Sequence, residues 1–593
     1  MLAALKDERD AATQAIPFSA VAARRDGEIA LVELEPIRNS RPSTALDESL
    51  EGAQAVWSDD RQGRGEVVVV DPDRAEVALR YVQGELPAPN QVVRLYPKDF
   101  LSPLIDVWTR PDAQSAALAV LKRNDETLIA PVKPLPSAFG RLRRAQAAAM
   151  SLPLRRVALV VGPPGTGKTT TVGAITANLL RRFPKARVLL VGPTNVAVDT
   201  ALLAADDWLA EIGRDDIRSK LRRVGSRFDT RKFAGRDHLF EPGLYAASVD
   251  VAMIELEEPP RSPASAYEAW KDRLDAARAK LKTAVEAIVR NARLVALTTA
   301  TAARYYDQLS EPKWDFIIAD EASQILLPAA LSVSALGRNV LFAGDPMQLA
   351  PIVKSHDPSV QKLLSQTAFD RLSKVESVFL NEQSRMAHAI CDVVSTTFYE
   401  GRLVVCPKAR RDAVWRKERE PWFINGREVP RVLIDDRAGE ATWSSKYNGM
   451  IRFRSAQIVE ALVAELLGSY VGEDEMLILT PFRAQRALIR SMLRRYGSRG
   501  LRVSTVHRSQ GTENKIVIFD PVDGGGSFLS GDTGRRLLNV AASRAQAHLV
   551  MTIGPGDLRN PLIARMQKRA SALWDTAGSY ATPFRVSLPS VVA

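Results

Sequence analysis

The 593-residue chain carries 81 Lys plus Arg against 69 Asp plus Glu, a net charge of +12, with 46% hydrophobic and 25% charged residues. That balance excludes a disordered chain, and the length exceeds what one hydrophobic core sustains, so two or more domains are expected. No apolar run reaches the roughly 18 residues of a bilayer-crossing helix, and the opening MLAALKDERDAATQAIPFSA mixes acidic with apolar residues, unlike a secretory leader, so a cytoplasmic protein without a membrane partner is expected.

In chain order, the first stretch is polar and shows no assignable period. From about Trp57 to Leu101 the runs EVVVVD, EVALRYV and VVRLYP are separated by Asp-Pro, Pro-Ala-Pro and Gly turn signals. They predict a small β-rich module of barrel type. Phe100 to Lys122 reads as helix broken near Pro111.

After Pro153 short apolar runs alternate with helical stretches: VALVVG, RVLLVGPT, LVALTTA, FIIADEAS and NVLFAGD. Strands that are nearly all apolar are covered on both faces, the signature of a parallel sheet wrapped by helices. Between about residues 205 and 290 a polar stretch leads into AYEAWKDRLDAARAKLKTAVEAIVRNA, whose helical spacing predicts an inserted helix or helical pair. A second series, RVLIDD, EMLILTPF, KIVIFDPV and HLVMTIG, predicts a second α/β domain without a phosphate loop. Residues 406–448 show no period and receive no assignment. The two cysteines, Cys391 and Cys406, are too few for a four-ligand zinc site and are expected as free thiols. The basic surplus suits a polyanionic partner.

The chemistry concentrates at Gly162-Pro163-Pro164-Gly165-Thr166-Gly167-Lys168-Thr169, between the strand VALVV and a helix starting near Thr170. Glycines let backbone N–H groups converge on phosphate oxygens, and the helix N-terminus adds a favourable field. Lys168 is expected on the β- and γ-phosphates and the Thr169 hydroxyl on Mg²⁺. Asp320 and Glu321 end the strand FIIA. An acid there suits the Mg²⁺ shell, which assigns Asp320, and Glu321 follows as general base. Phosphoryl transfer also calls for cations opposite the developing charge, and Arg385 and Arg544 are the candidates.

The order and text of these segments resemble the superfamily 1 helicases, in the branch of the nonsense-mediated-decay helicase. The likeness runs from about residue 140 to 555 through LRRAQAAAM, the phosphate loop, GPTNVAVD, RRVGS, ALTTAT, DEASQ, GDPMQLAPIV, LNEQSRMA, FYEGRL, LTPFRAQ, STVHRSQGTE and LLNVAASRAQ. It implies an α/β fold of two RecA-like parallel-sheet domains with a β-rich accessory module and a helical insertion. The boundaries expected are residues 1–101 for the N-terminal region, 102–355 for the first RecA-like domain with its insertion near 205–290, and 356–593 for the second.

The resemblance also implies roles. Gln146 would read the base, Gln348 would sense the γ-phosphate, Arg385 and Arg544 would be arginine fingers, and Glu513 would contact the ribose. Thr194, Asn195, Thr299, Thr301, Thr505 and His507 would line a track for single-stranded DNA or RNA. Ser384 stands where the family often carries a base-stacking aromatic, which leaves Phe482 or Gln146 to supply base selectivity. The expected function is ATP- and Mg²⁺-dependent translocation, 5′-to-3′ by family branch. The alternative is an ATP-switched clamp that binds nucleic acid without unwinding it.

Overall fold

Each strand of a closed barrel shows one face to the interior and one to solvent, so its residues alternate in burial. The computed structural model describes residues 1–37, 46, 50–57, 63–71, 75–122, 136–225, 228, 230–259, 264–311, 313–372, 374–424, 427–447, 449–469, 471–496, 500–509 and 511–576. It opens with six antiparallel strands that close in this way: β1 (Ile16–Asp26), β2 (Ile29–Pro36), β3 (Gln54–Val56), β4 (Arg64–Asp71), β5 (Glu76–Gln83) and β6 (Val92–Tyr96), ordered β1-β2-β5-β4-β3-β6. Phe18, Val32, Leu34, Val67, Leu79 and Leu95 fill the interior. The expected module holds β4 to β6, but β1, β2 and β3 come from the stretch left unassigned. Strand β2 does alternate, burying Ala30, Val32 and Leu34 between exposed or half-buried neighbours, whereas β1 shifts register between Ala20 and Ala22 and ends in exposed residues.

The helix Leu2–Ala12 does not join the barrel. Its Ala4 and Leu5 pack with Leu104, Trp108 and Leu364, in the core of the following lobe. Glu8 is buried there, and its carboxylate accepts from the backbone N–H of Lys354 (2.8 and 2.9 Å) and of Ser355 (2.7 Å). The N-terminal 101 residues are therefore shared between two cores, which is a correction to their reading as one region.

The first lobe is a seven-stranded parallel sheet of β7 (Val157–Val161), β8 (Val188–Gly192), β9 (Leu221–Arg223), β10 (Leu294–Thr298), β11 (Trp314–Ala319), β12 (Gly337–Gly344) and β13 (Ser377–Phe379), ordered β13-β7-β12-β11-β8-β10-β9. The five apolar runs become β7, β8, β10, β11 and β12, and helices cover both faces. Ile175, Leu179 and Trp208 pack on one, Leu104, Val285 and Leu331 on the other. Two expectations are corrected. The helix Asn195–Glu211 and strand β9 belong to the sheet's own frame, so the helical insertion reduces to the pair Pro242–Leu256 and Ala264–Asn291. Because β13 pairs with β7, the first sheet continues past residue 355.

The second lobe is a five-stranded parallel sheet in the order Val432–Asp435, Ala545–Thr552, Asn514–Phe519, Met476–Thr480, Arg502–Thr505. The last strand is short and half polar and lay outside the expected runs. Within 406–448, beside the sheet strand Val432–Asp435 expected from RVLIDD, stand two short helices, Pro407–Arg411 and Ala413–Glu418, the paired strands Phe423–Ile424 and Arg427–Glu428, and a strand Thr442–Ser444 that pairs with Gly449–Ile451. No helix among the described residues is long and apolar enough to cross a membrane. Part of the expected motif RRVGS (Ser226), residue 510 of STVHRSQGTE, and residues 577–593 lie outside the described residues.

Candidate nucleotide site at the seam between the lobes

The phosphate loop leaves β7 at Gly162 and enters the helix Lys168–Arg182. Gly165 and Gly167 both take a φ of +74°, a left-handed backbone that side chains disfavour and that turns successive N–H groups inward. A Cβ at Gly165 would stand 2.5 Å from the Cβ of Arg385. Glycine there does two jobs: it curls the loop and lets the second lobe come down on it. Lys168 Nζ donates to Asp320 Oδ1 and to Glu321 Oε1, each at 2.7 Å, and Thr169 Oγ1 donates to Asp320 Oδ2 at 3.1 Å.

Asp320 and Glu321 follow the carboxyl end of β11, where ligands of parallel sheets bind. Glu321 stands at φ +51°, a rare backbone for a non-glycine residue, and its Oε2 accepts from Gln324 at 3.1 Å. Burial opposes the charge on Lys168, but the two carboxylates outweigh it and hold the ammonium above its ordinary range. Burial likewise pushes Glu321 up, and Lys168 reverses this, keeping it below the usual carboxylate range. The lobe-one half of the site is a charged cluster closed on itself by one lysine.

The second lobe supplies the guanidinium groups. Arg385 and Arg544 line the same cleft of ≈ 920 Å³ as the loop, Asp320, Glu321 and Gln348. Arg385 follows Ser384, whose N–H donates to Gly165 O at 2.9 Å, so the turn sits directly on the phosphate loop. Arg544 is the C-cap of the helix Gly531–Ser543; Nη1 donates to Thr512 O at 3.1 Å, and the buried Nε has no hydrogen-bond partner among the described residues. Burial and then the neighbouring Arg385 push Arg544 down to about 9, still fully charged near neutrality. Two cations with unspent donors at one seam form a receptor for a polyanion.

The remaining expected nucleotide contacts take different partners. Gln146 lines the cleft, with Nε2 donating to Thr166 O at 3.0 Å and Oε1 accepting from Arg143 N–H at 2.9 Å. Glu513 also lines it but is ion-paired with Arg385 and accepts from Gln546 at 3.1 Å; its expected ribose contact requires that pair to open. Phe482 is not among the cleft residues. It caps the helix Arg483–Leu493 and packs on Phe528 at 5.4 Å, which corrects its reading as a base-stacking substitute for Ser384.

Sequence reasoning missed three residues that hold Ser384 and Arg385 in place. Arg143 of the first lobe donates to Ser384 Oγ at 2.9 Å. Trp415 Nε1 donates to Ser384 O at 2.6 Å, and Arg419 donates to Arg385 O at 2.7 Å with its guanidinium 4.5 Å from the Trp415 ring. The last two lie in the aperiodic 406–448 stretch, where no local signal marks them.

The residues expected on the nucleic-acid track sit just past the carboxyl ends of β8 and β10 and at the end of the strand Arg502–Thr505. Thr194 is exposed and Asn195, Thr301 and His507 are half-buried, whereas Thr299 and Thr505 are buried. Thr194 caps its helix by accepting from Ala197 N–H at 3.2 Å, and Asn195 Oδ1 accepts from the buried Arg223 at 2.8 Å. Burial, then the positive charges of Arg483 of the second lobe and Lys354 of the first, lower the His507 pKa.

A phosphate loop on one parallel-sheet lobe, closed by two arginines from another, defines a two-lobed P-loop nucleoside triphosphatase. Two family models, each described as an AAA domain, match residues 141–232 with 249–356 and residues 364–555. DNA polymerase alpha-associated DNA helicase A of Schizosaccharomyces pombe is 28% identical over 460 residues, 72% of this chain and 65% of that protein. The regulator of nonsense transcripts 1 homolog of Arabidopsis thaliana is 28% identical over 454 residues, 71% of this chain and 34% of that protein. The homolog of Neurospora crassa is 25% identical over 545 residues, 83% and 46%. A solved arterivirus nonstructural protein 10 (helicase) matches at 14% identity over 95% of this chain and 82% of that one, with a TM-score of 0.43, too low to carry an argument. The chain belongs to the superfamily 1 helicases, in the branch of the nonsense-mediated-decay helicase. It spans less than two thirds of each of these relatives.

Proposed function

We propose that the chain is an ATP-driven motor that moves along single-stranded nucleic acid, 5′-to-3′, and displaces a paired strand. The observation that carries this is one cleft lined by Lys168, Asp320 and Glu321 from the first lobe and by Arg385 and Arg544 from the second. On this reading Lys168 takes the β- and γ-phosphates, Glu321 accepts the proton of the attacking water, and Gln348 lies against the γ-phosphate. Arg385 and Arg544 offset charge that develops in transfer, a contribution of ~10³–10⁵ where a second domain supplies an arginine. Arg385 leaves Glu513 for the triphosphate, which frees Glu513 for the ribose. Gln146 keeps one amide hydrogen and one lone pair for a base edge.

The Thr169 hydroxyl and Asp320 carboxylate, 3.1 Å apart, are hard oxygen donors of the kind Mg²⁺ takes beside phosphates. They would hold the ion, which when bound offsets charge on the β- and γ-oxygens. Of the described residues, the accessory barrel takes those from 16 to 96, the first lobe those from 2 to 12 and from 102 to 379, and the second lobe those from 380 to 576. Both cysteines are buried free thiols, consistent with a reducing cytoplasm.

The test is ATP hydrolysis with matched single-stranded DNA and RNA, followed by displacement from duplexes with 5′ and 3′ tails. Strand-stimulated hydrolysis with displacement from the 5′-tailed duplex is expected. Stimulated hydrolysis without displacement supports the clamp instead, and unstimulated hydrolysis removes the motor.

A further inference from the structure

The loop that follows β12 starts in the first lobe and ends up packed in the second. Its Leu349 is buried among Met386, Ile390, Phe398, Leu537 and Ala541, in the second lobe's core. Asp345, fully buried, is where the loop leaves the sheet, and three donors converge on its carboxylate: Tyr399 OH at 2.7 Å and Gln348 Nε2 at 3.1 Å on Oδ2, and Met347 N–H at 3.0 Å on Oδ1. Tyr399 OH in turn accepts from Asn539 Nδ2 at 2.7 Å, and the same amide nitrogen donates to Met347 O at 2.7 Å. Tyr399 and Asn539 are second-lobe residues; Asn539 lies on the helix Gly531–Ser543, which Arg544 caps.

We propose that Asp345, Tyr399 and Asn539 form a coupling joint: Tyr399 and Asn539 are positioning residues that force the second lobe to follow Gln348 when it meets the γ-phosphate. The inference deepens the motor reading and rests on it. Gln348 sits between two fixed points, the Asp345 carboxylate and the Leu349 plug, and cannot move independently of them. A shift reaches the helix that ends in Arg544 through the Tyr399 hydroxyl and through the bond from Asn539 to Met347 O. A joint of directional bonds transmits displacement, whereas apolar contact alone allows slip. Burial of each member keeps water from substituting for its partners.

Tyr399→Phe removes the hydroxyl and keeps the ring in its core position. The expected KM for ATP stays within about twofold of wild type, while strand-saturated kcat falls about tenfold, the scale of one buried hydrogen bond in a barrier. The second readout is the ratio of single-strand dissociation constants with and without a non-hydrolysable ATP analogue. It is expected to collapse toward one, because coupling between sites is a free energy carried by an element with two positions. Asn539→Leu, which keeps the branched shape in a larger side chain, is the second variant and should show the same signature. Combining Tyr399→Phe with Asp345→Asn should cost little beyond either alone.

If Tyr399→Phe and Asn539→Leu both keep the wild-type ratio, the joint is overturned and the motor reading stands. If kcat falls but the ratio is unchanged, the joint is likewise overturned. If wild type shows neither stimulated hydrolysis nor an analogue effect, both readings fall. Loss of fold in one variant leaves the decision with the other.

Discussion

Lys168 is held by two carboxylates, Asp320 at 1% and Glu321 at 26% side-chain exposure. Removing one member of a buried ion cluster strands the others, at a cost of about 3–5 kcal/mol when all are buried and less where one keeps solvent. Lys168→Ala is therefore expected both to abolish ATP hydrolysis and to lower the first-lobe melting transition, while single-strand affinity stays within about threefold. Robust hydrolysis by a clean preparation of the variant removes the loop from the mechanism. Asp345 carries the opposite electrostatic burden. Burial, reinforced by Glu321 and only partly offset by Tyr399, Met347 N–H and Gln348, raises it to about 6 from an ordinary 3.8. A carboxyl raised on folding contributes most when protonated in both states, and that contribution is lost as pH rises from about 4 through about 6. By pH 7 the loss is about 3 kcal/mol at 1.36 kcal/mol per unit. Asp345→Asn does not titrate, so its melting temperature should gain on wild type between pH 5 and pH 7; a gap that is flat or reversed contradicts the assignment.

The elements around the site differ in how far local pattern betrays them. Strands β7, β8, β10, β11 and β12 are buried on both faces and stand out as apolar runs. Strand β2 buries only alternate residues and β9 is three residues long, so neither forms a run. The helix Ala413–Glu418 was illegible for a stronger reason: it buries none of its residues, so no stripe marks it. Its contribution is one tryptophan and the following Arg419, which grip the carbonyls of Ser384 and Arg385. Arg419→Ala is expected to lower kcat about tenfold by freeing the Arg385 turn, and Arg419→Lys should not rescue it, since an ammonium lacks the fork that reaches both carbonyls; steady-state hydrolysis within twofold of wild type excludes this clasp. The helix Leu2–Ala12 makes a comparable claim on stability. Glu8 accepts from two backbone N–H groups of the loop at Lys354 and Ser355, so Glu8→Ala should destabilise the first lobe by about 1–3 kcal/mol, read as a fall in its melting temperature. Asp10→Ala, on the exposed face of the same helix, should leave it unchanged.

At the scale of the whole molecule, motifs named the two halves of the site but not how they meet. The phosphate loop and the acidic pair are legible in local text, and both arginines through the family pattern that flanks them. That Ser384 N–H bonds Gly165 O, or that Leu349 lies in the second lobe's core, depends on tertiary packing that no local period encodes. The same limit applies to the track. The family resemblance implies it, whereas the nearness of Lys354 of one lobe and Arg483 of the other to His507 is a matter of tertiary packing. On the proposed track these two cations would meet phosphates rather than bases, so affinity should depend on salt and hardly on sequence. Each phosphate contact to a single strand contributes about −0.7 to the slope of log K against log salt. Lys354→Ala should therefore reduce the steepness of that slope by about 0.7, equally for homopolymeric and mixed strands of one length. Because Lys354 belongs to the first lobe and Arg483 to the second, the proposed motor cycle would change their separation, and the Lys354→Ala effect should also differ between the nucleotide-free and analogue-bound states. An unchanged slope in both states would take the strand out of the seam and separate the nucleotide site from any track it drives.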